Sequence, residues 1–256
     1  MFEFPLTKTN RLRLARAFRQ VNRVDLSLDC VLEGQMGKVW VDHLDQPTVF
    51  QIQTGPFSYL AGDPDGAPAQ ELLDNLPAGM LLMPSAPGWL EAARAYFGDR
   101  LRPFDRYRFS AEHLSPEHLH SCLEATPFVE RIERIDLGLA QNVWGRDHFI
   151  ELMEYESPQD FMERGIGYVS SQHGSILGAA YASLVCSRGI EVSIYIEEEF
   201  RRQGLATALA SALLLWCLER GLEPHWDAAN PESWRLASKL GYQFLGSYEA
   251  YYLWTH

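Results

Sequence analysis

No stretch of this sequence is both long and apolar enough to cross a bilayer. The longest mostly apolar run, Thr207 to Leu218, contains Ser211 and falls well short of the roughly 20 residues a spanning helix needs. The first residues, Met1-Phe2-Glu3-Phe4-Pro5, show no basic segment followed by an apolar one, so no secretory leader is read there. The expectation is a cytoplasmic protein with no membrane attachment. Cysteine is scarce: Cys30, Cys122, Cys186 and Cys217 lie far apart, with no Cys-x-x-Cys pair. Neither a zinc site nor a redox pair is indicated, and free thiols are expected. His113, His118 and His120 gather near Pro116 without a carboxylate at zincin spacing. They read as a surface loop and short helix, and no metal is expected.

Positive charge is also in short supply. Lys and Arg number 22 against 34 Asp and Glu, a formal net charge of −12. Residues 1–110 are nearly neutral, so residues 111–256 carry the excess acid. Such a chain repels nucleic acid unless a basic patch stands out. The cluster Arg11, Arg13, Arg16 and Arg19 falls on a predicted amphipathic helix and reads as a solvated face. The acidic second half suits a cationic substrate; it also serves solubility.

What is present is the punctuation of a mixed α/β chain. Residues 10–20 predict a helix. Leu28–Glu33, Lys38–Asp42 and Thr48–Gln53 alternate and predict strands, separated by Gly34, Gly37 and Pro47. A helix over Ala69–Asn75, an apolar run at Met80–Met83, a helix over Trp89–Tyr96 and a strand at Arg106–Ser110 follow. The character changes over 111–135, which places a domain junction near residue 125. Beyond it, Leu137–Trp144 reads as a helix, and Ser157-Pro158 starts another. Tyr168–Ser171 and Ile176–Cys186 form a predicted hairpin across His173-Gly174-Ser175. Ile190–Ile196 is a third strand. Leu205–Arg220 is a helix apolar nearly all round, hence buried, with Gly221 at its end. His225–Ala228 reads as a short strand. Asn230-Pro231-Glu232 caps a helix ending at Gly241. Tyr242–Gly246 and Tyr251–Trp254 read as closing strands.

The order strand, loop, helix, glycine at Met80–Gly98 repeats at His225–Gly241, each after a three-strand segment. Two copies of one fold would explain the length, although α/β chains commonly show such echoes. The expected domains are 1–125 and 126–256.

The segment from Ile194 to Thr207, Ile-Tyr-Ile-Glu-Glu-Glu-Phe-Arg-Arg-Gln-Gly-Leu-Ala-Thr, carries the chemistry. A strand ends and a helix starts at a turn containing Gly204 and Ala206. The first N–H groups of a helix lack intrahelical partners, and the helix dipole is positive there. Gly204 removes a blocking side chain, and Arg201 and Arg202 add charge, so a pyrophosphate is the natural guest. There is neither G-x-x-x-x-G-K-[ST] nor G-x-G-x-x-G. The pattern Arg201-x-x-Gly204-x-Ala206 resembles the [QR]-x-x-G-x-[GA] signature of the GCN5-related N-acetyltransferases.

The resemblance covers about residues 140–256. It is strongest for a bacterial subgroup with an extended N-terminal half, on Asp160–Gly167, Ile190-Glu191 and Pro224–Asn230, with Val39–Asp42 and Phe57–Gly62 contributing. It implies a mixed α/β fold whose central sheet splays after Ile190–Ile196. It also implies a degenerate N-terminal copy without a cofactor turn. Acetyl-coenzyme A is the implied donor and a small-molecule amine the implied acceptor, with no nucleic acid or membrane partner. The residues implied to hold the cofactor are Ile194, Tyr195, Ile196, Arg201, Arg202, Gln203, Gly204, Leu205, Ala206, Thr207, Asn230 and Ser233.

Glu191 is the candidate general base, because an ammonium must lose a proton before it attacks a thioester; a salt bridge is the plain alternative. Glu197, Glu198 and Glu199 read as a solvated run. Asn230 is first a helix cap. The family's usual acid, a Tyr seven residues after this Asn, is replaced here by Ala237, which leaves Tyr248 as a candidate, with Tyr251, Tyr252 or water as alternatives. His225 and Asp227, two apart on one strand, are candidates for the acceptor pocket. Against the enzyme stands a second reading, a catalytically silent acyl-coenzyme A sensor or interaction protein. A third is transfer of a different acyl group.

Overall fold

The computed structural model describes residues 1–128, 131–146, 149 and 154–254. The chain divides into two compact units, one of Met1–Arg106 with Ser247–His256, the other of Tyr107–Gly246. The junction near residue 125 read from the sequence instead falls within the second unit, and the chain's last residues return to the first.

In chain order the first unit holds strand β1 (Phe2–Glu3), helices α1 (Lys8–Ala17) and α2 (Ser27–Glu33), and strands β2 (Lys38–Val41), β3 (Val49–Thr54) and β4 (Phe57–Gly62). Helix α3 (Gly66–Asp74), strand β5 (Leu81–Leu82), helix α4 (Trp89–Phe97) and strand β6 (Leu101–Ser110) follow. The second unit holds α5 (Pro116–Glu124), β7 (Ile132–Arg134), α6 (Leu137–Val143), α7 (Pro158–Arg164), β8 (Gly167–Gln172), β9 (Ser175–Val185) and β10 (Gly189–Ile196). After these come α8 (Leu205–Leu218), β11 (Glu223–His225), β12 (Asp227–Ala228), α9 (Pro231–Leu240) and β13 (Gln243–Leu253). The chain passes from the first unit to the second within β6 and back within β13.

In the first unit, β2, β3 and β4 form an antiparallel meander, and β5 joins β4 in parallel over only two pairs, Phe57↔Leu81 and Ser58↔Leu82. The end of β13 pairs antiparallel with β5, Tyr251 opposite Leu82. Val39, Ile52 and Tyr59 line one core with Leu28 and Val31 of α2; Leu60, Leu72, Trp89 and Tyr251 line another.

In the second unit the sheet order is β11-β10-β9-β8-β7. It too is an antiparallel meander, β8-β9-β10, followed by a helix and a strand parallel to the last. Helix α8 is apolar nearly all round because it is buried nearly all round, with ten of its fourteen residues inside. Its Ala210 and Leu214 share a core with Trp226, Ala237, Leu240 and Tyr242.

Three local readings are corrected. Leu28–Glu33 is not a strand but most of α2. Its apolar residues also recur at three and four, burying Leu28, Cys30 and Val31 on one side, and Gly34 stops it at φ 70°. The segment His225–Ala228 is not one strand: β11 pairs with β10, whereas β12 pairs with β6, and the chain breaks at Trp226 between them. The two closing strands read over Tyr242–Gly246 and Tyr251–Trp254 are parts of a single long strand, β13, which runs from Gln243 to Leu253. The meander strand β4, also unread, lies under the Phe57–Gly62 segment.

Candidate functional site

The turn before α8 is held by its own side chains. Arg201 Nε donates to the carbonyl of Ile196 at 3.1 Å, tying the turn to the end of β10. Gln203 Nε2 donates to Glu199 O at 2.7 Å. Arg202 has φ 59°, rare for a side-chain-bearing residue. Gly204 is the N-cap at φ 94°, and no side chain caps the helix. A Cβ on Gly204 would lie 3.4 Å from Cγ2 of Thr126. The first intrahelical bond closes from Ala208 N to Gly204 O at 3.0 Å, so the amides of Leu205, Ala206 and Thr207 precede the ladder. Arg201, Arg202 and Gln203 are exposed, Leu205 and Thr207 are buried, and Ala206 is half-buried.

A further cation reaches the turn from a distant helix. Lys239, in the last turn of α9, donates from Nζ to Thr207 Oγ1 at 3.1 Å. A cation beside a helix N-terminus opposes the helix dipole, and Arg201 and Arg202 already stand there. This start of α8 thus presents amides ahead of the helical ladder, with Arg201, Arg202 and Lys239 beside them and Glu197 to Glu199 just before.

Beside the turn the sheet forks. The parallel ladder between β10 and β11 covers three pairs, Gly189↔Glu223, Ile190↔Pro224 and Glu191↔His225. Gly189 permits this close approach: a Cβ there would lie 1.9 Å from Glu223 O. Past Glu191 the partner strand leaves, and Val192 to Ile196 become half-buried. Trp226 anchors the departure. Its Nε1 donates to Ser233 Oγ at 3.1 Å, and its ring lies 5.2 Å from that of Tyr242. The fully buried Tyr242 hydroxyl donates to Pro224 O at 2.7 Å.

At the fork, His225 Nδ1 lies 3.0 Å from one carboxylate oxygen of Glu191 and 3.2 Å from the other. The structure thus brings together two residues the sequence had nominated for separate jobs. Ile194, Tyr195 and Ile196 follow on the same strand toward the turn, and the Tyr195 hydroxyl is pushed above its ordinary value by burial and then by a hydrogen bond with Glu197. Asp227 pairs with Arg108 in the β12–β6 ladder. Asn230 caps α9, its side chain accepting from Ser233 N at 2.8 Å, while the Ser233 hydroxyl serves Trp226. Ala237 is fully buried in the core shared by α8 and α9. Tyr248 belongs to the first unit, where it packs half-buried against that unit's core. Among the described residues no cluster of metal-ligating side chains is present, and no helix is long and apolar enough to cross a membrane.

The central strands of a mixed sheet thus part beside a helix start whose first amides precede the ladder. The family model for GNAT acetyltransferase matches residues 17–251. The crystal structure of a GCN5-related N-acetyltransferase-like protein from Streptococcus suis 89/1591 matches with a TM-score of 0.83 and 30% identity, over 95% of this chain and 98% of that one. The uncharacterized N-acetyltransferase YdfB of Bacillus subtilis (strain 168) is 25% identical over 173 residues, 67% of this chain. The match spans 65% of that relative's length. A tandem GNAT protein from the clavulanic acid biosynthesis pathway shares the fold at a TM-score of 0.56 and 13% identity, over 97% of this chain and 95% of that one. The chain belongs to the GNAT acetyltransferase family, a family of acyltransferase enzymes.

Proposed function

We propose that this chain is an N-acetyltransferase that moves acetyl from acetyl-coenzyme A to the amine of a small molecule. The observation that carries the reading is the succession along β10: a buried carboxylate–imidazole pair at the fork, an open strand edge, then the anion-receptive turn. When bound, acetyl-coenzyme A supplies an acetyl group as a thioester, already activated toward an amine. The residues present fit that group. Gly204 takes the positive φ that shapes the turn, and the amides from Arg202 to Thr207 suit the pyrophosphate, with Arg201, Arg202 and Lys239 adding charge. Ile194, Tyr195 and Ile196 line the edge along which the rest of the cofactor extends. Asn230 and Ser233 support this side of the fork by capping α9 and by fixing Trp226.

The acceptor arrives as an ammonium, since amines of this kind have pKa values near 10. It must shed a proton to gain a nucleophilic lone pair. The Glu191–His225 pair provides a proton acceptor where the strands part, and Asp227 stands two residues on. With Ala237 in the usual acid's place, the thiolate leaves without a tyrosine to protonate it. Holding both reactants in line carries the larger part of the rate.

For the first unit we propose a degenerate copy that binds no cofactor. It has the same order of elements, and a tandem GNAT protein shares the overall fold. Where the second unit has its turn, the first has Asp63-Pro64-Asp65-Gly66 leading into α3. Two carboxylates there repel a pyrophosphate, and proline removes an amide.

The test is release of free thiol from acetyl-coenzyme A across a panel of primary amines, beside a binding titration. Amine-dependent thiol release is expected. Tight binding with no release for any amine favours a silent acyl-coenzyme A sensor instead. No binding at all overturns the assignment of the turn.

A further inference from the structure

We infer that the proton acceptor at the fork is the imidazole of His225, and that Glu191 is its positioning residue. The inference rests on the acetyl-transfer reading above. It deepens that reading by moving the proton from Glu191, the candidate base, to His225, a candidate for the acceptor pocket.

The geometry comes first. Glu191 and His225 are direct partners in the parallel ladder. Their side chains are 8% and 11% exposed, and both carboxylate oxygens lie within hydrogen-bond distance of Nδ1. An ionised carboxylate has no hydrogen to give, so the hydrogen of this contact sits on Nδ1. In the neutral ring the lone pair is then on Nε2, on the far side of the imidazole from Glu191. A carboxylate that fixes a histidine tautomer in this way leaves the histidine to move the proton. A proton taken by Glu191 itself would turn the charged acceptor of this contact into a neutral one and weaken its hold on the ring.

The pair is braced on both strands. Gly189 lets β10 and β11 approach. The Ser183 hydroxyl donates to Glu191 O where the β9–β10 register shifts. Tyr242 holds Pro224, and Ser233 holds Trp226, on either side of His225. Among the described residues, the titratable groups near the pair include Glu223, which is paired with Arg188 at 3.1 Å, Asp227 two residues along, and Tyr242, which has Cys217 beside it. Burial pushes Cys217 up to about 12 and Tyr242 well above its ordinary value, so both stay neutral near pH 7.

The step balances as follows. The ammonium gives one proton to Nε2, which passes it to water. The freed lone pair forms the N–C bond as the C–S bond breaks, and the amine's second proton goes to the departing thiolate. The products are an amide, a free thiol and one proton.

The test begins with the ligand-free protein. Histidine-labelled ¹⁵N spectra of the parent and of Glu191→Gln should both show His225 with hydrogen on Nδ1, because the glutamine carbonyl still accepts. The titration midpoint of His225 should fall in the variant, since the charge stabilising the imidazolium is gone. Hydrogen on Nε2 in the parent, or an unchanged midpoint, overturns the pair as described. Kinetics on the best amine follow. His225→Gln should lose on the order of 10²–10⁴ in kcat with little change in KM for acetyl-coenzyme A. Glu191→Gln should lose less and move the acidic limb of its pH profile downward, in step with the spectra. The double variant should resemble His225→Gln alone. Parent-like turnover in a folded His225→Gln overturns the assignment. If no amine gives turnover in the parent, the acetyl-transfer reading fails, while the spectra still decide the tautomer.

Discussion

Lys239 and Thr207 join the last turn of α9 to the first turn of α8 through a hydrogen bond of 3.1 Å. The contact sets a cation where the helix dipole is already positive. Such a cation near the surface costs roughly 0.3–1 kcal/mol unless an anion offsets it. Lys239 also lies in the last turn of α9, where a cation is favourable, so the two dipole effects offset and Lys239→Met should change the stability of the ligand-free protein by less than about 1 kcal/mol. It should weaken coenzyme A about two- to fivefold, the equivalent of that energy, and flatten the salt dependence of binding. Calorimetric titration at two ionic strengths measures both. Unchanged affinity at low salt would remove Lys239 from the anion site.

Gly204 is the next point of test. At φ 94° an L-residue is strained, by roughly 1–2 kcal/mol. Gly204→Ala should lower the unfolding free energy by about that much. Gly204→Glu adds negative charge to the cradle and should abolish measurable binding of coenzyme A while the protein stays folded. The parent should bind one coenzyme A per chain. Two sites of equal affinity would mean that the first unit has a working turn after all.

The Ser233 hydroxyl serves the buried indole of Trp226. Ser233→Ala leaves that N–H without its acceptor, at a cost of roughly 1–3 kcal/mol. Chemical denaturation should register this loss, with affinity for coenzyme A little changed. The opposite pattern, full stability and lost affinity, would make Ser233 a direct cofactor contact.

Acid sensitivity should trace in part to Asp160. Arg164 donates to it from Nε at 2.6 Å, and this contact leads in holding the Asp160 carboxyl below its ordinary 3.8. A carboxyl depressed in the folded state stabilises it above the unfolded value, and the benefit fades as pH falls through the folded one. The stability gap between the parent and Asp160→Asn should hold level from about pH 5 to 8 and close below about pH 4. A gap that persists at lower pH would assign the effect to packing.

Much of the second unit was legible because its elements are long and their ends are marked. Ser157, Asn230 and Gly241 cap helices where their chemistry demands, and the buried α8 announces itself by composition. The turn at Gly204 was legible for the same local reasons. What escaped depends on pairing between distant segments. Glu191 and His225 meet only through the register of two strands, and Lys239 reaches Thr207 only because two helices pack. Leu28–Glu33 misled because a short apolar alternation also satisfies a helical period. The division at Trp226 was hidden because nothing local says that neighbouring residues will join different ladders.

The return of β13 to the first unit has a consequence for how the chain comes off the ribosome. Domains at the front of a protein ordinarily fold while the rest is still being made. Here Leu82 waits for Tyr251, and the cores built around Val39 and Trp89 wait for Ala250 and Leu253. The whole second unit is synthesised before those residues appear. The first unit is therefore begun first and finished last, and a nascent chain stalled before Ser247 carries an unfilled core for a chaperone to guard.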